Sequence, residues 1–480
     1  MARHWLVWWR IVKPTNKTHI DYAYELDLVV KPDSRVPLFE REYAAFTGAG
    51  VPLFSIGGGY YRYALIDILA RFHARRGYYV AETPMIASSL LYQVSGHLDF
   101  FRKNMFIFQI EGHDYAIKPM NCPYHILIFL SHLARYRQKV RLPFKVFEAG
   151  RVHRYEPSGS LYGLLRVRAF TQDDAHIITR EEEATEAIVG VFEEMKLLLE
   201  KIFHMDLDPG KVELRLSLSD KSKIGEEFMG TLHEWETAES ALEEAAKSIR
   251  DKYGFNYYSE EGEAAFYGPK IDVVMRIEES GIEKEWQLGT VQFDFNLPRR
   301  FRVYDMVREV YGEDTRVFII HRALMGSIER FLSVYLDYMK GRLPFTLAPL
   351  QFAVIAIKTG GDTDEEISTI ARRIHEELVK MGFRSGLLET TKTSLSGEVR
   401  RIESTIKPAV TVYIGAREAR EGYATVRPFI HGERRRVSKR VPLSGDYATS
   451  IVEAVKELED GVVELAGYAP RIPGDLSHLL

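Results

Sequence analysis

The segment HRYEPSGSLYGLLRVRAFTQDDAHI (153–177) sets arginines, an aromatic ring, an amide, a carboxylate and a histidine at alternate positions. Side chains of an extended chain alternate between faces, so Arg166, Arg168, Phe170, Gln172, Asp174 and His176 share one side. Leu165, Val167, Ala169, Ala175 and Ile177 share the other, and that apolar side is expected to pack. A solvated face is served by mixed lysine and glutamate; guanidinium, aromatic, carboxylate and imidazole groups are specialised for anions, stacking and metals. The one cysteine, Cys122, stands in CPYH, where spacing alone offers a Cys-x-x-His pair with His125. Zinc prefers sulfur and nitrogen ligands, and a catalytic zinc keeps one position open after three from the protein.

Elements of both kinds must hold these residues. YALIDILARFHARRG reads as an amphipathic helix followed by a strand in YYVAETPMI, and EEATEAIVGVFEEMKLLLEKIF as a long helix with acids in its first turn. Strand signals dominate around 145–177 and 264–296. Residues 1–40 read as a short extension in which YELDLVV is one strand and nothing carries chemistry. Pro and Gly punctuate GRLPFTLAP (341–349), which marks a boundary. Beyond it QFAVIAI is a buried-type strand, and TDEEISTIARRIHEELVKMG is a helix with a Thr363-x-x-Glu366 capping box and a closing Gly382. AVTVYIG is a second buried strand. That alternation predicts a small α/β domain over 346–466, after a larger domain over 41–345 and before a tail at 467–480.

The totals exclude little but bound the answer. At roughly one domain per 100–200 residues, 480 residues hold about two to four domains. Sixty-four basic against 68 acidic side chains give a net charge of −4 and no global basic field, so any nucleic-acid contact comes from local patches. A lone cysteine rules out an internal disulfide and fits a reducing, cytoplasmic setting. The basic, apolar opening is interrupted by Arg10 and lacks a small-residue cleavage pattern, and apolar stretches such as FTLAPLQFAVIAI fall short of the ~18–20 residues that cross a bilayer. No membrane partner is expected.

Five motifs in order, KPMNCPYH, HRYEPSGSLYGLLRVRAFTQDDAHI, AAFYGPKID, WQLGTVQFDF and HRALMGSIERF, resemble the catalytic domain of the threonyl-tRNA synthetase family, class II aminoacyl-tRNA synthetases. The resemblance runs from about residue 45 into the C-terminal α/β domain, which resembles the family's anticodon-binding domain. It implies an antiparallel-sheet catalytic domain and a threonine–tRNA ligase: threonine and ATP give threonyl-adenylate and pyrophosphate, and threonine passes to the 3′ end of tRNA(Thr). Family members typically carry an N-terminal editing module, which roughly 40 residues ahead of the catalytic domain cannot hold. Mischarged Ser-tRNA(Thr) is therefore expected to be cleared by a separate protein.

By the resemblance, the zinc ligands are Cys122, His176 and His321, with His125 left to pack or face solvent. The zinc would take the amino group and hydroxyl of threonine, with Asp174 accepting from that hydroxyl and Tyr267, Gln292 and Gln172 beside it. Arg154 would grip the α-phosphate and Arg330 the γ-phosphate, since a planar guanidinium donates in pairs and keeps its charge. Phe170 would stack on adenine, Glu156 would accept from its exocyclic amine, Arg166 would complete the phosphate side, and Mg²⁺ would bridge the phosphates. His97 in SGHLDFF is associated with the transfer step, and Lys270 with a phosphate or the carboxylate. Pro84 falls in the stretch that forms the dimer interface of class II enzymes, so a homodimer is implied. VRPFIHGERRRVSKR gathers Arg427, Arg434, Arg435, Arg436, Lys439 and Arg440 with Phe429 and His431, suited to phosphates and unpaired bases, with Arg427 the anticodon candidate.

Two other readings compete. A synthetase-like paralogue that binds RNA or an amino acid for regulation would typically have lost phosphate arginines or metal ligands. A zinc hydrolase could use the same three ligands but has no need of two phosphate arginines and an adenine-stacking face. Synthetases for serine or proline share the architecture, and the zinc triad speaks against them.

Overall fold

The computed structural model describes residues 17–31, 47–279, 282–391, 395–428, 438–456, 474–475 and 477. An eight-stranded sheet organises the first part of the chain. Its strands run in the order Tyr79–Val80, Phe144–His153, Ala169–Arg180, Val317–Ala323, Ile282–Asp294, Lys270–Glu279, Val212–Leu218, Asn256–Glu261. The pairs at the two edges are parallel and all the pairs between them are antiparallel. One face of the sheet is covered by the helices Ile56–Ala74, Ala184–Leu197, Leu232–Tyr253 and Ile328–Tyr338, whose apolar stripes join the main core through Leu65, Ile68, Phe192, Trp235 and Leu332. Along Ala169–Arg180 the apolar side is buried as alternation predicts, but Arg166 and Arg168 lie in the loop ahead of this strand.

A six-stranded sheet forms the second part, with Phe352–Lys358 parallel to both Arg384–Thr391 and Val410–Ile414, and the helix Asp364–Lys380 packed on it. Gly382 closes that helix at φ 92°, a left-handed conformation that costs glycine little. The capping box does not form. Thr363 makes no side-chain cap, and the Asp364 carboxylate instead accepts from the backbone N–H of Thr359 and Gly360, because the chain turns into the helix there. Two other expectations are revised. YELDLVV is not a strand: its first residues end the helix His19–Glu25, and Val29 contributes a single bridge to Phe54. YYVAETPMI gives only the short strands Tyr79–Val80 and Ile86–Ser88, because its middle bends around Pro84.

The two parts are joined by a buried arginine. Arg384 donates through Nε and Nη2 to the carbonyls of Thr346, Ala348 and Pro349, so the connecting segment is tied to the start of the strand Arg384–Thr391. No described helix is long and apolar enough to cross a membrane.

Candidate active site

Pairing register assembles the site. His176, His321, Gln292 and Lys270 stand directly opposite one another on four successive strands, so four residues far apart in sequence form one row on one face. Cys122 opens the helix Cys122–Tyr136 beside that row, with Pro123 following in its first turn. Sγ of Cys122 and ring nitrogens of His176 and His321 lie within 4.8 Å of one another, all buried. His176 Nε2 and His321 Nδ1 are 2.9 Å apart. Asp294 Oδ2 lies 2.8 Å from His321 Nε2, and its Oδ1 accepts from the backbone N–H of Asn296 and Leu297. The acceptor carboxylate therefore holds the hydrogen on His321 Nε2 and leaves Nδ1 as a lone pair turned toward Cys122 and His176.

Burial sets the charge states of these donors. Burial, with Asp174 and Asp294 adding to it, pushes the Cys122 thiol well above its ordinary range. Burial, with His321, His125 and Arg322 adding to it, pushes His176 well below. The thiolate is thus costly without a positive partner, and the imidazole is held neutral, the form that ligates a metal. His125, expected to pack or face solvent, is fully buried and does more than pack: its Nδ1 lies 2.8 Å from His176 Nδ1.

The anion side is built from three guanidinium groups. Arg154 follows the strand Phe144–His153 and sits 5.2 Å from the Phe170 ring and 5.7 Å from that of Phe101, with Nε donating to the Pro119 carbonyl. Arg330 lies in the first turn of the helix Ile328–Tyr338, where the Ser327 hydroxyl accepts from its backbone N–H. Burial lowers the Arg330 pKa, and the charges of Arg154 and Arg166 lower it further. The charges of Arg154 and Arg166 are thus felt at Arg330, an arrangement able to receive an anion. Arg166 meanwhile pairs with Glu156 at 2.8 Å, and Arg168, assigned to the pocket face by alternation, turns away to the carbonyls of Glu156 and Ala49.

Asp174 accepts from Asn121 Nδ2 at 2.8 Å. Gly150 allows this approach, since a Cβ there would stand 2.2 Å from that nitrogen. Gln172 bridges to Ser327 in the turn before Arg330. Tyr267 donates its hydroxyl to Gln292 Oε1, and its ring lies 5.2 Å from that of His321. Lys270 is held at 2.6 Å by Asp272, a fully buried carboxylate that also accepts from Arg215, Gln287 and Thr290. His97 is buried, with Nε2 3.8 Å from Cys122 Sγ and Nδ1 on Ser95 Oγ. Burial, with His321, Arg154 and Arg300 adding to it, takes His97 down to about 3, so it is neutral around pH 7.

Residues 106–339 match the family model for the tRNA synthetase class II core domain (G, H, P, S and T), and residues 351–443 match that for the anticodon binding domain. A threonine–tRNA ligase catalytic subunit of Aeropyrum pernix is 61% identical over 467 residues, spanning 97% of this chain and 99% of that protein. The chain belongs to the threonyl-tRNA synthetase family. A solved Aeropyrum pernix structure of such a synthetase superimposes with a TM-score of 0.90 at 61% identity, covering 97% of this chain and 100% of that one. The threonine–tRNA ligase of Aquifex aeolicus is 39% identical over 79% of this chain, which spans only 55% of that longer protein. A prolyl-tRNA synthetase of Giardia lamblia shares the fold alone, at 15% identity and a TM-score of 0.60 over 93% of this chain and 82% of that one. The fold expected from sequence, a class II catalytic core followed by an anticodon-binding domain, is the one observed. The enzyme is a threonine–tRNA ligase of class II, and such synthetases use Mg²⁺ with ATP.

In the anticodon-binding domain Arg427 lies on the strand Tyr423–Pro428, donating to Ser438 and resting 5.0 Å from the Tyr413 ring. Arg440 rests 5.1 Å from the Tyr423 ring. Phe429, His431, Arg434, Arg435 and Arg436 lie outside the described residues. Sequence reasoning missed Asp294, Glu148 and the buried pair Asp173 and Arg322. A signal was present: three of these are charged residues at inward-facing strand positions of motifs already singled out, and a buried charge implies a partner.

Proposed function

We propose that the metal is zinc on Cys122, His176 and His321, and that the amino acid and ATP meet between it and the three arginines. One observation carries this reading: the sulfur–nitrogen donor set is buried at His176, and Arg154 sits 5.2 Å from the ring of Phe170, which shares a strand face with His176. When bound, zinc supplies a Lewis-acid position for the amine and hydroxyl of threonine. Asp174 accepts from that hydroxyl, while Gln172, Gln292 and Tyr267 border the side chain. Valine has no oxygen to offer, and a site built for a hydroxyl rejects such an analogue by roughly 10⁴–10⁵. Serine lacks only a methyl group, which is worth about 10–200-fold.

Both reactants of the first step are anions, so the chain contributes position and positive charge. Arg154 holds the α-phosphate, Arg330 the γ-phosphate, and Arg166 joins them when the nucleotide takes over Glu156. Phe170 stacks on the base, and Lys270 stays oriented by Asp272. His97 serves the transfer step to the tRNA ribose, and Arg427 contributes to anticodon contact. The exposed apolar residues Tyr79, Val80, Ile86 and Leu90 around Pro84 support a homodimer. Clearance of Ser-tRNA(Thr) falls to a separate protein, the domains divide at 345/346, and the lone buried thiol fits a cytoplasmic enzyme.

The test is ATP–pyrophosphate exchange with threonine, serine and valine on protein of measured zinc content. Exchange with threonine, weaker exchange with serine and none with valine is expected at one zinc per chain. Full threonine exchange in Cys122→Ala protein that holds no zinc would overturn the assignment.

A further inference from the structure

Behind His176 runs a buried chain of hydrogen bonds that reaches away from the pocket. His125 Nδ1 meets His176 Nδ1 at 2.8 Å, and His125 Nε2 meets Glu148 Oε2 at 3.1 Å. Every other partner of Glu148 is also a donor: Lys118 Nζ at 2.8 Å, the Thr83 hydroxyl at 2.8 Å and the Thr83 backbone N–H at 3.2 Å. Lys118 in turn donates to the Thr83 hydroxyl at 2.7 Å. Lys118, His125, Glu148 and Thr83 are all buried.

The zinc reading sets the donors and acceptors along this chain. A carboxylate only accepts, so His125 carries its hydrogen on Nε2. With Nε2 of His176 a ligand, its hydrogen sits on Nδ1 and is donated to His125 Nδ1. His176 Nε2 is left as a lone pair. Asp294 supports the matching tautomer of His321, so the two nitrogens 2.9 Å apart can both turn lone pairs to one cation.

We propose that Glu148 and His125 are positioning residues for the metal site, fixing the tautomer of His176 so that its Nε2 lone pair faces Cys122 and His321. This rests on the zinc reading above. The Glu148 end of the chain is anchored at Thr83, beside Pro84, so His176 is oriented through the ring nitrogen opposite the one that faces His321. His125 thus acts through His176 and touches no reactant.

The experiment uses the full-length chain, stripped of metal and titrated with zinc alone against a chromophoric chelator. Variants are His125→Leu, which offers neither donor nor acceptor, and His125→Gln, which offers one of each. The expected result is one zinc per wild-type chain, an affinity lower by about 10–100-fold in His125→Leu, and most of it recovered in His125→Gln. Zinc binding by His125→Leu equal to wild type, or no better in His125→Gln than in His125→Leu, would overturn the proposal. A wild-type chain that binds no zinc would overturn the metal reading itself and this inference with it. Because a buried substitution can unfold the chain, imidazole ¹⁵N resonances of the zinc-loaded wild-type protein give an independent answer. Hydrogen on Nδ1 of His176 and on Nε2 of His125 supports the proposal, and the opposite tautomer in either ring overturns it.

Discussion

Replacing Asp173 by asparagine removes one charge from a pair buried beneath the active site. Asp173 lies between Gln172 and Asp174 but faces the other way, fully buried. Its Oδ1 accepts from Arg322 Nη1 at 2.9 Å, and its Oδ2 accepts from the backbone N–H of Leu324 at 2.9 Å and of Met325 at 3.2 Å. Those two N–H groups belong to the turn that leads into Ser327 and Arg330. Asparagine has one acceptor oxygen where the carboxylate has two. If that oxygen keeps the turn, an NH₂ group faces the guanidinium, and Arg322 is left as an uncompensated buried cation, which costs about 3–5 kcal/mol. If it keeps Arg322, two backbone donors are unsatisfied at about 1–3 kcal/mol each. Both outcomes predict a loss of several kcal/mol in urea unfolding. Converting Arg322 to methionine as well removes the orphaned charge, so the double variant should be more stable than Asp173→Asn alone. Loosening the turn moves Arg330, so pyrophosphate exchange in folded Asp173→Asn protein should drop as well. A stability change under about 1 kcal/mol with unchanged exchange would refute the argument, because the ion pair would then be neither structural nor positioning.

Arg330→Ala and Arg154→Ala should each lower the rate of pyrophosphate exchange by about 10²–10³, as expected when a preorganised charge is removed from a reacting anion; zinc content measured on the same protein should be unchanged. His73 is buried, stacked 4.0 Å from Phe147, and held well below its ordinary pKa first by burial and then by Arg322. The unfolded chain therefore binds a proton near pH 6.5 that the folded chain refuses, and stability is lost as pH falls below that value. Its contribution to the slope is at most about 1.4 kcal/mol per pH unit, and His73→Phe should flatten the curve of unfolding free energy against pH by that amount. Arg384→Lys keeps a charge but cannot reproduce the fork that grips the Thr346, Ala348 and Pro349 carbonyls, so thermal unfolding should show a destabilised C-terminal domain. Deleting residues 346–480 should spare adenylate formation and abolish efficient charging of tRNA, measured by exchange and aminoacylation side by side.

Residue type and alternation along 169–177 were enough to tell which side of that strand packs. The family that the five motifs resemble singled out Cys122, His176, His321, Arg154 and Arg330, and the alternation after GRLPFTLAP led to the second sheet that begins at Phe352. Alternation failed at Arg168, which turns away, because it applies only where the chain is extended, and a loop precedes the strand. The Thr363 capping box failed because a cap depends on the incoming backbone direction, which spacing does not encode. Only the tertiary structure decided that His176, His321, Gln292 and Lys270 form one row, since strand order and register are relations between segments up to 145 residues apart. It alone decided the role of His125, which local spacing makes a companion of Cys122 and packing makes the support of His176. Burial is the physical reason: it turns a polar residue into one whose partners are obligatory, and a sequence names the donors and acceptors without naming which of them meet.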